Sequence, residues 1–278
     1  MRKFLTYALS VFAVGVSHLL STPTLQAASS PWLKTDGAQI RLVSLPTSDG
    51  KSIRAGLQIQ LDKGWKTYWR TPGASGLPPQ VSFSASQNVK DAKILFPSPQ
   101  LFSDTLGFSA GYKGSVTFPI QVHPLTAGEA ITLNARGIVG ICADICVPVQ
   151  FDLSVTESGN SGTDFAIATA LNAAEANLPG PSNDNQHVVS AKVEGTGKKA
   201  LMIETIVPAG GQKPELFVEG PSNWYLSPAR LHKTDSNKAY FELDLSDIPP
   251  ADQPESVELT FVLVVDGRGI EQRLKPSK

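Results

Sequence analysis

Chemistry in this sequence concentrates on its two cysteines. Cys142 and Cys146 lie in the stretch Gly137-Ile138-Val139-Gly140-Ile141-Cys142-Ala143-Asp144-Ile145-Cys146-Val147-Pro148-Val149. In a helix this C-x3-C spacing would put both sulphurs on one face. The β pattern on either side and Pro148 argue instead for a turn with a cysteine at each end. In an exported chain such a pair closes as a disulfide. As a brace it is poor: a ring of about five residues is worth roughly 2 kcal/mol, against about 4.7 for a loop near 100 residues. A short ring at a loop tip suits thiol–disulfide exchange better. The first reading is therefore a dithiol/disulfide couple. A small structural clip in a protein-binding module, and copper(I) held by two soft thiolates, stay open. Zinc asks for four ligands, and His123, His187 and His232 are scattered, so no metal or other cofactor is expected. Asp144 sits between the cysteines. Its carboxylate would raise a thiol's pKa or take up a proton, and it is equally a turn former. A C-x2-C before a helix, G-x-S-x-G, a P-loop and a dinucleotide glycine fingerprint are all missing from the sequence.

An oxidised pair presupposes export, and the N-terminus supplies the signal. Met1-Arg2-Lys3 is basic, Phe4 to Leu20 is apolar, and Leu25-Gln26-Ala27 offers small residues for cleavage. Residues 1–27 read as a secretory signal peptide rather than a spanning helix, because the run is interrupted by Thr6, Ser10, Gly15, Ser17 and His18. The expected location is the periplasm. The whole chain of 278 residues has a net charge of -1. A near-neutral chain lacks the basic footprint of a nucleic-acid binder and the polybasic tract of a membrane-surface protein. No later stretch approaches about 18 uninterrupted apolar residues, so no transmembrane segment is expected after cleavage.

The elements that must hold the cysteines are strands. Glycine (23) and proline (21) are abundant, which favours short strands and turns over a helical bundle. Period-two alternation begins at Gln39 and is clean from Ile53 to Leu61. Trp65 to Arg70, Gln80 to Phe83, Ala92 to Phe96, Ser115 to Val122, Ile131 to Ile138 and Val147 to Val155 continue it. Thr71 to Pro79 is a breaker segment. Residues 158–186 form a linker. Within it Asp164 to Asn177 reads as one alanine-rich helix capped by Thr163 and stopped by Pro179-Gly180. Strands resume at His187–Glu194, Ala200–Val207, Glu215–Val218, Ala239–Leu245, Val257–Val265 and Ile270–Leu274, with a hairpin turn at Asp266-Gly267. The expected class is all-β, with two immunoglobulin-like sandwiches at residues 28–157 and 187–278.

Several stretches together resemble the N-terminal periplasmic domain of DsbD-type protein-disulfide reductases, in the ScsB-like variety where a second immunoglobulin-like domain follows. They are Gly64-Trp65-Lys66-Thr67-Tyr68-Trp69-Arg70-Thr71-Pro72-Gly73, Gly76-Leu77-Pro78-Pro79, Gly111-Tyr112-Lys113-Gly114, Phe118-Pro119-Ile120 and Cys142-Ala143-Asp144-Ile145-Cys146-Val147-Pro148. The resemblance spans about residues 35–155 and, more weakly, 187–275. It implies a redox-active pair that passes reducing equivalents to periplasmic thioredoxin-like or disulfide-containing proteins. By the family pattern Cys146 forms the mixed disulfide and Cys142 resolves it. A cap loop would fall within Ser103 to Ala110, with Phe108 or Leu106 as its tip, and Tyr68 and Trp69 would line the site. Two features depart from the pattern: only three residues separate the cysteines, and no membrane transporter or thioredoxin-like domain follows in this sequence. The electron source, such as a separate membrane transporter, is therefore expected on another protein.

Overall fold

The computed structural model describes residues 28–49, 51–73, 76–104, 107–158, 164–195, 199–224, 226–249 and 251–278. The leader at 1–27 and Leu106 lie outside them. In chain order the first half carries β1 (Leu33–Thr35), β2 (Ala38–Pro46), β3 (Ile53–Leu61), β4 (Lys66–Tyr68), β5 (Gln80–Ser82), β6 (Val89–Ile94), β7 (Gln100–Asp104), β8 (Gly107–Lys113), β9 (Ser115–Pro124), β10 (Ile131–Cys142) and β11 (Cys146–Glu157). One sheet has the order β1-β2-β3-β9-β6. The other runs β11-β10-β4-β8-β7, with β5 also on β10. The period of two does the sorting. Along β11, Val149, Phe151, Leu153 and Val155 turn inward while the residues between them are exposed. They meet Ile40, Leu42, Leu57, Ile59 and Phe118 of the facing sheet in one apolar core. The result is an all-β sandwich.

Between the halves lies α1 (Phe165–Ala176). Its N-cap is Asp164, whose carboxylate accepts from the Ala166 and Ile167 amides at 2.8 and 3.2 Å. The expected cap, Thr163, lies outside the described residues. Ile167 and Leu171 pack on Val43 and Leu45 of β2, on the outer side of the first sheet. Among the described residues no helix is long and apolar enough to cross a membrane.

The second half carries β12 (Gly180–Pro181), β13 (His187–Glu194), β14 (Ala200–Ile206), β15 (Glu215–Glu219), β16 (Arg230–Asp235), β17 (Lys238–Asp244), β18 (Leu259–Val265) and β19 (Arg268–Leu274). Its sheets are β12-β19-β18-β15 and β13-β14-β17-β16. The β18–β19 hairpin turns at Asp266 and Gly267, both with positive φ (50° and 78°), as a two-residue turn of this kind requires. β18 is apolar and buried without interruption from Phe261 to Val265 because it is covered on both faces there. Leu259, Phe261, Leu263 and Val265 fill its own sandwich, whereas Val262 and Val264, with Phe217 of β15, join the first sandwich's core. At roughly 1.5–3 kcal/mol for each large apolar side chain buried, this contact is a packed junction rather than a loose tether.

Candidate functional site

The cysteines end two strands that are in register along their whole length. β10 and β11 pair from Ile131↔Glu157 to Cys142↔Cys146, and residues 143–145 make the connection. Direct opposition across an antiparallel pair brings the two Cβ atoms close. The Cα atoms are 4.1 Å apart and the sulphurs are joined as a disulfide. The two sulphurs differ in access. Cys142 is fully buried, whereas Cys146 is half-buried. Ile145, just before it, is 75% exposed at the apex.

β4 brings the next residues. Its register places Lys66 opposite Cys142 and Thr67 opposite Ile141. Residues opposed in a sheet share a face, so Lys66 and Tyr68 stand on the cysteine side while Thr67 and Trp69 alternate away. The Tyr68 hydroxyl lies 3.0 Å from the Cys146 sulphur. Its ring occupies a slot between two glycines. A Cβ at Gly76 would come within 2.9 Å of Tyr68 Cδ1, and one at Gly140 within 3.0 Å of Cδ2. The Thr67 hydroxyl donates to the Gly140 carbonyl at 2.9 Å, tying β4 to the cysteine strand. Lys66, only 6% exposed, donates to the Ser109 hydroxyl at 3.1 Å, and its ammonium sits 5.5 Å from the Tyr68 ring centre. A hydroxyl donor within hydrogen-bonding distance of a sulphur favours the thiolate once the pair is reduced.

The other expected site residues fall differently. Trp69 is fully buried on the opposite side of β4, with its ring centre 5.6 Å from that of Phe217. It belongs to the junction with the second half rather than to the lining of the cysteine pair, because adjacent strand residues cannot face the same way. The stretch Ser103 to Ala110, expected as a loop, is largely the β7–β8 hairpin, with Ser103 opposite Phe108. Phe108 is 45% exposed near its turn. Its neighbour Ser109 is the residue that meets Lys66. Phe102, opposite Ser109, lies under the Lys113 ammonium at 4.6 Å. Asp144 is exposed in the middle of the bend. Lys66, Ser109 and the two slot glycines escaped the sequence reading. Alternation along β4 was the available signal for Lys66, since it shares a parity with Tyr68. Among the described residues no group of three or more histidine, cysteine, aspartate or glutamate side chains is placed to hold a metal ion.

The part of the chain that carries this site is similar to known proteins. Residues 32–158 match the family model for the N-terminal part of the thiol:disulfide interchange protein DsbD. Among solved structures, the N-terminal periplasmic domain of ScsB from Proteus mirabilis superposes with a TM-score of 0.74 at 24% identity, covering 91% of this chain and 100% of that one. That likeness is one of fold, and it extends through both sandwiches. No significant match was found among curated proteins. The first sandwich of this chain, with the cysteine hairpin at its end, is thus the part that matches the DsbD N-terminal family model.

Proposed function

We propose that this protein is a periplasmic thiol:disulfide interchange module whose working group is the Cys142/Cys146 couple. The observation that carries the reading is the asymmetry of the pair: a half-buried Cys146 sulphur beside the Tyr68 hydroxyl, bonded to a fully buried Cys142. In the reduced form the Cys146 thiolate attacks one sulphur of a partner disulfide. That bond breaks, a mixed disulfide forms, and the departing partner thiolate takes up a proton. The Cys142 thiolate then attacks the Cys146 sulphur, re-forming the internal disulfide and releasing the partner as a dithiol. Two electrons and two protons pass to the partner. A thioredoxin-like dithiol protein, itself supplied from a separate membrane transporter, returns them by the reverse exchange. The β7–β8 hairpin, with Phe108 near its turn, serves as the cover over the pair, and residues 1–27 as the export leader.

Equilibration of the full chain against glutathione and thioredoxin-type redox buffers tests this. The expected potential lies above about -300 mV, with rapid exchange. A value far below that, with no exchange, would mark a structural clip and overturn the reading.

A further inference from the structure

We infer that the second sandwich is a positioning element for thiol exchange: Arg70, clasped by Glu219 and Glu271, holds the strand that sets Tyr68 against the Cys146 sulphur. This rests on the exchange reading above and adds a role for the second half of the chain.

β4 is only three residues long, and beyond it the backbone keeps two hydrogen bonds to β8, from the Trp69 amide to the Ala110 carbonyl at 3.0 Å and from the Ala110 amide to the Pro72 carbonyl at 2.9 Å. The two side chains that follow Tyr68 both meet the second half of the chain, Trp69 while also lying in the first sandwich's core. Trp69 packs on Phe217 of β15. The Arg70 Nε donates to Glu219 at 2.7 Å, and its Nη2 donates to Glu271 at 2.6 Å and also contacts Glu219. Its guanidinium lies 4.6 Å over the Trp69 ring. Glu219 and Glu271 stand on β15 and β19, which flank β18 in one sheet, so the clasp is anchored on a rigid platform. Arg70 and Glu219 are only 25% and 22% exposed, where a forked guanidinium–carboxylate pair fixes direction as well as distance. Arg70 is two residues along the chain from Tyr68, a reach of at most about 7 Å. The glycine slot restricts the Tyr68 ring sideways, and the clasp restrains the strand along its own direction. Among the described residues, the hydrogen bonds and ion pairs of the Arg70 side chain go to Glu219 and Glu271.

The test uses the reduced full chain and the pH–rate profile of Cys146 alkylation by iodoacetamide, mapped by mass spectrometry. Arg70→Met and the milder Glu271→Gln are each made alone and in a Tyr68→Phe background. Arg70→Met is expected to slow Cys146 alkylation near neutral pH up to about tenfold, the scale of one hydrogen bond to a charged sulphur, and Glu271→Gln by about two- to threefold. In the Tyr68→Phe background both effects should vanish, because the clasp acts through that hydroxyl. Arg136→Met, in an exposed pair with Asp152 on the same sheet as the cysteines, should leave the profile unchanged. Wild-type profiles in both clasp variants, even with lowered melting temperatures, would overturn the inference, as would effects that persist undiminished without the Tyr68 hydroxyl. If Arg70→Met fails to fold, Glu271→Gln decides. Alkylation needs no protein partner, so it can fail while disulfide exchange with a partner still occurs, and the reverse.

Discussion

Removing one oxygen atom, in Tyr68→Phe, probes the chemistry with little disturbance of the packing. The ring keeps its slot between Gly76 and Gly140, and only the hydroxyl 3.0 Å from the Cys146 sulphur is lost. A disulfide sulphur is a weak acceptor, so the oxidised protein loses little. A thiolate is a charged acceptor, and hydrogen bonds to charged groups are worth about 1.5–3 kcal/mol. Cys146 is half-buried, so the lower end applies, about 1.5 kcal/mol or about one pKa unit. The substitution thus works against the reduced, ionised form. The Cys146 thiol should titrate about one unit higher, and its alkylation near neutral pH should slow about tenfold. Stabilising a reduced form makes a couple more oxidising, so losing that stabilisation should lower the potential, by up to about 30 mV. Iodoacetamide pH–rate profiles and glutathione equilibration measure the two quantities. An unchanged profile, or a thiol that titrates lower in the variant, would show that the hydroxyl does not donate to the thiolate.

Other consequences are open to direct measurement. Replacing both Cys142 and Cys146 by serine should cost about 2 kcal/mol, as expected for a five-residue ring, seen as a lower urea midpoint at similar slope; a loss near 5 kcal/mol would mark a structural brace. Gly140→Val should push the Tyr68 ring aside, because even its Cβ would lie 2.9 Å from the Leu77 carbonyl oxygen and 3.0 Å from Tyr68 Cδ2. It should slow alkylation as Tyr68→Phe does and destabilise by about 1–3 kcal/mol, and a wild-type rate would contradict the slot. Burial raises the pKa of Glu215, partly offset by the Leu101 amide and Lys213. The folded form therefore holds this proton more tightly than the unfolded chain, and the contribution to stability is present at low pH and lost as pH rises through the folded pKa. Glu215→Gln should match wild type in acid and melt higher at neutral pH, whereas a neutral-pH loss would refute the assignment.

Most of the strand framework could be read from the sequence because most strands have one wet and one dry face. Those that escaped break that rule. β16 is exposed at every residue, so alternation had nothing to record. β7 and β8 carry Ser103, Asp104, Gly107 and Ser109 in a stretch whose polar composition imitates a loop. Asp164 and Thr163 were equivalent as caps by residue type, and only the backbone geometry selects Asp164. At the site, the cysteine turn was local and therefore legible. Tyr68 reaches Cys146 across 78 residues, and Arg70 reaches Glu219 and Glu271 across 149 and 201, distances at which no periodicity survives. Trp69 is the instructive case. A strand that turns Tyr68 toward the sulphur must turn Trp69 away, and the sequence already contained that information.

The central claim is that Cys146 trades covalent partners and Cys142 completes the exchange. Incubating reduced Cys142→Ser with a disulfide-bearing, thioredoxin-like periplasmic protein, and resolving the products without reductant, examines it directly. The expected product is a stable one-to-one mixed disulfide through Cys146, and none with Cys146→Ser. Equal trapping by both variants, or by neither while the wild type still binds the partner, would contradict it.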